Sequence, residues 1–165
     1  MRRNSFRKGD RVLHPRFGFG VVESRVARPR DDGHLTDYYC IRLSDGGILT
    51  MPVARAEDLG LRRIANGLAS IRACLRAQAH PLPDNPQERV LELTSRWQDS
   101  QALVLVRAVR DLARFGHKRS LTPGDKRWLT RACERLSSEA ALVDAIDVAD
   151  ARAAIDREVQ KLLAS

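Results

Sequence analysis

The feature that most limits what this chain can fold into is a change of hydrophobic period near residue 60. Before it, apolar residues come in short runs: Val12-Leu13, residues 21–26, residues 38–43 and residues 48–51. Between them lie Gly18-Phe19-Gly20, a charged hairpin tip at 28–33 with Asp31-Asp32-Gly33, and Ser44-Asp45-Gly46-Gly47. Short β-branched and aromatic runs separated by such turns predict a small antiparallel sheet closed as a barrel. Pro52 falls where a strand end tolerates a residue without an N–H.

After Gly60 the apolar positions recur at helical spacing. Leu68, Ile71 and Leu75 place a helix over roughly 66–78. The stretch His80-Pro81-Leu82-Pro83-Asp84-Asn85-Pro86 breaks it. Asn85 is then an N-cap, Pro86 a first-turn proline and Glu88 the capping-box partner. Val90, Leu93 and Trp97 form that helix's inner stripe. A third helix spans about 100–115 through Leu103, Val106, Val109/Arg110 and Leu112, and stops near Gly116. Thr122-Pro123-Gly124-Asp125 caps a fourth, carrying Leu129, Cys133 and Leu136. Asp147 or Asp150 starts a fifth, with Ile155, Val159 and Leu162 inside. The expected class is α+β: a β domain over 1–62 and an all-helical domain over 66–165, with the seam between Leu59 and Gly67.

Charge narrows the partner. The 165 residues carry 29 Lys+Arg against 21 Asp+Glu, a formal charge of +8. Residues 1–85 hold 15 basic and 9 acidic side chains, and residues 86–165 hold 14 and 12. A basic balance suits nucleic acid or an acidic protein surface. The nearly balanced second half argues against a strong DNA binder.

No set of residues points to catalysis. His14, His34, His80 and His117 are scattered, and each reads as a surface or turn histidine. Cys40, Cys74 and Cys133 fit neither a disulfide framework nor zinc spacing, and each falls on an apolar pattern as a buried, inert thiol. Gly18-Phe19-Gly20 lacks the third glycine and the following helix of a dinucleotide fingerprint, so its glycines serve backbone bends. Phe17 and Phe19 read as barrel core or rim, with an exposed protein-contacting aromatic as the alternative. No metal, cofactor or small-molecule substrate is expected. The basic N-terminus has no apolar stretch behind it, and no run reaches membrane-spanning length. The expectation is a cytoplasmic protein that does not engage a membrane.

A resemblance adds to this. FRKGDRVLHPRFGFGVV from Phe6, then YYCIRL, MPV and LGLR ending at Arg62, resembles the N-terminal module of CarD-like (CdnL) bacterial transcription regulators. The same module occurs in transcription-repair coupling factor. AVRDL at 108–112 and LTPGDKRWLTRACERLSSE at 121–139 follow the family's helical half. The resemblance implies a Tudor-like β module docked on the β subunit of RNA polymerase. It also implies a helical module that contacts promoter DNA at the upstream edge of the melted bubble and changes open-complex stability.

Residue by residue, Arg28 takes the family's polymerase-contacting arginine after the second strand. The second basic position, two before the strand-ending proline, is Thr50, with Arg30 or Arg42 as substitutes. The family's minor-groove tryptophan becomes Pro86, and of the basic residues after it only Arg89 keeps its charge. A proline can wedge a minor groove, while its cap role explains it without DNA. Trp97 reads as core and Trp128 as half-buried packing. Lys118 and Arg119 in a basic loop, with Lys126 and Arg127 in a helix's first turns, are candidate phosphate contacts. Cations there oppose the helix dipole, which singles out the last two. A polymerase-binding adaptor that leaves DNA alone is the alternative.

Overall fold

The computed structural model describes residues 5–64, 67–99 and 103–165, and the chain divides after Ile64 into two compact units.

The first unit is one antiparallel sheet of β1 (Arg11–His14), β2 (Gly18–Pro29), β3 (Leu35–Leu43), β4 (Ile48–Pro52) and β5 (Arg62–Arg63), in the order β4-β3-β2-β1-β5. The order is open: β4 and β5 are edges that do not pair with each other. The expected barrel is therefore corrected to an open sheet. β5 offers only two residues, paired to Val12 and Leu13, too few backbone groups to close a circuit. β5 was not foreseen, because two arginines give no apolar signal.

Strand alternation sends Val12, Val22, Tyr39, Ile41 and Met51 to one side, where Phe6, Ala56 and Leu61 complete the core. Phe6 meets Tyr39 edge to face, and its backbone N–H donates to the Tyr39 hydroxyl at 3.1 Å. The β1–β2 turn is built by His14, whose buried Nδ1 accepts from the N–H groups of Arg16 (3.1 Å) and Phe17 (3.2 Å). Burial lowers the His14 pKa, against a hydrogen bond to the Leu59 backbone that raises it. A neutral ring is what an Nδ1 acceptor requires. Gly20 is forced by contact: a Cβ there would lie 2.6 Å from Ile41 Cγ2 and 2.9 Å from the Arg42 carbonyl. Phe17 is 45% exposed, beside the His14 ring and under Arg16, and Phe19 is half-buried. Both are rim residues outside the core.

The second unit is five helices: α1 (Leu68–Arg76), α2 (Pro86–Gln98), α3 (Val104–Lys118), α4 (Pro123–Asp144) and α5 (Val148–Ala164). α3 packs against each of the other four and is buried almost continuously from Leu105 to Ala113. Asn85 caps α2, its Oδ1 accepting from the N–H groups of Gln87 and Glu88. The reciprocal capping box stands at α4 instead, between Thr122 and Asp125. α3 continues through Gly116, the expected stop, to Lys118. A Cβ at Gly116 would lie 2.9 Å from Leu121 and Leu163, so glycine is there for close packing. No helix among the described residues is long and apolar enough to cross a membrane.

Candidate functional site

The sheet has a second side; there Arg62, paired with Leu13 at the β5 edge, is buried, but none of the residues that β2, β3 and β4 place on it is. Antiparallel partners share a face, so the register fixes its members. Arg28 pairs with Thr36, Val26 with Tyr38, and Ser24 with Cys40. Cys40 pairs with Thr50 and Arg42 with Ile48 across β3 and β4. Arg28, Arg42 and Thr50 thus lie on one side, with Tyr38, Cys40 and the exposed Ile48 between or beside them.

A β-bulge makes this possible. The register shifts between Val22 and Ser24, leaving Glu23 as the extra residue of β2. Without it, a strict alternation from buried Val22 would turn Ser24, Val26 and Arg28 toward the core side. Arg28 lies inside β2, which runs three residues past the expected strand end at Val26. Arg30 sits beyond the strand, where its N–H donates to the His34 carbonyl at the hairpin tip. Arg42 forms an exposed ion pair with Glu23.

The helical unit gathers its candidates at one end, and Arg89 shows how. Sequence spacing put Val90 on the inner stripe of α2; Val90 is instead 51% exposed, and the buried residue is Arg89. Its Nε and Nη2 donate to Asp125 at 3.1 and 2.8 Å, and its Nη1 donates to the carbonyls of Pro83 (2.9 Å) and Asp84 (3.0 Å). The guanidinium carbon lies 4.4 Å from the Phe115 ring centroid. The two charged side chains are 2% and 1% exposed. Burial pushes the Asp125 carboxyl up, but hydrogen bonds from Arg89 and Thr122 outweigh it and hold the pKa below its ordinary value. Arg89 is therefore removed from the candidate DNA contacts: it is buried and its donors are spent inside the fold.

Because Arg89 joins the starts of α2 and α4 to the end of α3, the residues flanking its partners share that end. These are Pro86, Lys118, Arg119, Lys126 and Arg127, all but Arg119 without an ion pair among the described residues. Arg119 pairs with Asp84 at 3.2 Å, both well exposed. Pro86 is the first residue of α2, and its cap role is plain in the Asn85 hydrogen bonds.

Comparison with known families falls on both units in order. Residues 6–65 match the CarD-like/TRCF RID domain, and residues 70–156 match the CarD C-terminal domain. The chain belongs to the CarD-like family. Membership makes it a transcription regulator that interacts with RNA polymerase. A Bacillus subtilis (strain 168) relative named "Putative transcription factor YdeB" is 24% identical over 149 residues, covering 86% of this chain and 94% of that protein.

Two further features of this CarD-like chain were missed by sequence reasoning. Asp111 is buried, bound by Arg96 Nη1 (2.6 Å), Arg110 Nε (2.9 Å) and the His80 N–H (2.9 Å), a cluster whose only sequence signal is adjacent charges on an apolar helix. Of the three thiols, only Cys133 is fully buried, which pushes its pKa up to about 12. Cys40 and Cys74 are half-buried, a correction to the expectation that all three are enclosed; strand alternation sends Tyr39 and Ile41 inward and Cys40 outward. Among the described residues no cluster could hold a metal ion.

Proposed function

We propose that this CarD-like protein docks on the polymerase β subunit through the exposed side of β2, β3 and β4, and modulates promoter open-complex stability through the basic end of its helical unit. Arg28 and Arg42 supply charge on the docking side, Thr50 adds a position on the edge strand β4 beside them, and Arg30 extends the surface at the hairpin tip. Pro86, Lys118, Arg119, Lys126 and Arg127 face the DNA backbone. The observation that carries the reading is the bulged register, which turns Arg28 onto the same open face as Thr50 and Arg42. The protein acts by binding, in the cytoplasm, with no chemistry of its own.

The test is open-complex lifetime with cognate polymerase, with and without the protein. Wild type is expected to change the lifetime. Arg28→Glu is expected to abolish that effect and weaken polymerase co-purification by about tenfold, the cost of reversing a contact charge. Retention of both by Arg28→Glu would remove the docking assignment.

A second reading has a specific observation behind it. With Arg89 internal and Arg119 paired to Asp84, the helical unit has fewer free cations than its sequence suggests. This favours an adaptor that holds polymerase without touching DNA and competes with a fully active relative. If wild type leaves open-complex lifetime unchanged while Pro86→Trp alters it, the adaptor reading holds.

A further inference from the structure

Both tryptophans of the chain lie in one cluster, and neither belongs to the surfaces above. Trp97, in the last turn of α2, meets Trp128 of α4 edge to face, with ring centroids 6.0 Å apart. Each is only partly buried, at the margin of the helical core. Arg135 is fixed there: its guanidinium lies 4.7 Å from the Trp97 ring centroid, and its Nη1 donates to the Trp97 carbonyl at 3.1 Å. Arg131 differs. It is exposed, 5.5 Å from the same ring, and makes no ion pair among the described residues. Arg127, four residues earlier on α4 and so one turn away, is also exposed and unpaired.

Two exposed guanidiniums without an ion pair among the described residues, Arg131 already lying against the Trp97 ring, stand beside two partly buried indoles, and that combination selects for a ligand. A simple anion would satisfy the charges and leave the rings unused. An unpaired stretch of nucleic acid supplies phosphates at the guanidiniums and flat π faces at the indoles. We propose that Trp97, Trp128, Arg131 and Arg127 form a contact for unpaired DNA on the α2–α4 side of the helical unit. It rests on the DNA-contact reading above and shares Arg127 with the basic end. A regulator acting at a melted promoter would thereby hold a displaced strand as well as the duplex edge.

Having both tryptophans at the site makes the test direct, because intrinsic emission of the full chain reports this cluster alone. A single strand of about twelve nucleotides, within the span such sites cover, is titrated at low ionic strength. Binding is followed by its own fluorescence anisotropy, and tryptophan emission is followed in a parallel unlabelled titration. The expected result is that both signals move together. Arg131→Gln, an exposed position that leaves the core intact, is expected to weaken binding about threefold to tenfold. It should also shallow the log K against log salt slope by about 0.7. The same sequence as duplex is expected to leave the emission nearly unchanged.

Anisotropy that rises while the tryptophans stay silent, with Arg131→Gln binding like wild type, overturns this site and leaves the basic end standing. Equal quenching by duplex overturns the preference for unpaired strands. If neither signal moves, both this inference and the DNA-contact reading fall.

Discussion

The two units spend their charges in opposite ways. In the sheet, Arg25 pairs with Asp37 and Arg42 with Glu23 at the surface, and the core holds apolar and aromatic side chains. In the helical unit, Arg89–Asp125 and the Arg96–Asp111–Arg110 cluster are inside. An arginine count therefore means different things on the two sides of residue 64. In the sheet, Arg62 is buried and Arg63 is held by Asp10, but most of the described arginines stay at the surface; in the helices a larger part of the count is architecture. The buried pairs also explain how helices whose sequence is cut by prolines and charges hold one arrangement. Arg89 ties two helix starts, a loop and an aromatic ring to one guanidinium.

The sharpest way to break that contrast is to remove one member of the buried pair. Arg89→Met or Asp125→Asn leaves an uncompensated buried partner, for which about 3–5 kcal/mol is expected. Because both tryptophans are in this unit, denaturant unfolding followed by their emission reads it alone; a loss below about 1 kcal/mol would erase the difference between the units.

A smaller effect belongs to the sheet. Gly20→Ala drives a Cβ into Ile41 and the Arg42 carbonyl, and overpacking of this kind costs about 1–3 kcal/mol. The expected signature is a lower melting temperature for the sheet's circular dichroism band with an unchanged tryptophan transition.

Acid should separate the units further. A carboxyl whose folded pKa is depressed contributes stability that is complete above its ordinary value and lost as pH falls through the folded value. For Asp125 that ordinary value is 3.8. The helical unit is therefore expected to weaken progressively below pH 3.8, and Asp125→Asn to flatten that loss. His14 acts the same way at a higher pH: its lowered pKa stabilises the β1–β2 turn above 6.5 and less as pH falls. Titration of its ring protons by NMR should give a midpoint below 6.5, and a midpoint above it would contradict the acceptor role.

The smallest effect is expected at Arg42→Gln. Its ion pair with Glu23 is exposed and screened, so the sheet's midpoint should not move, while polymerase retention falls if the docking side is assigned correctly. A shifted midpoint would make Arg42 a structural residue.

Much of the fold was legible. Glycine and aspartate turns marked β1 to β4, and Asn85-Pro86 and Thr122–Asp125 marked two helix starts within a residue. The sites were less so. Arg89 was singled out as a surviving basic position, but its spacing four residues before Leu93 and eight before Trp97 puts it on the inner face. An arginine on an apolar stripe reads as an exception until Asp125, thirty-six residues away, is seen to receive it.

By itself the sequence determined where the period changes from two to 3.6, which residues can bend the backbone, and the order of elements that places the chain in its family. Those are local properties, set by side-chain shape and backbone sterics along a short stretch. Tertiary structure alone decided two things that matter for function. One extra residue at Glu23 turns Arg28 to the open side of the sheet, because a shift of one residue reverses every later side chain of a strand. One distant carboxylate draws Arg89 inward, because a buried guanidinium is tolerated only where its charge and donors are met. Asp125 lies far outside the stretch that a periodicity can report, and the extra residue at Glu23 shows only when β2 is paired with β3.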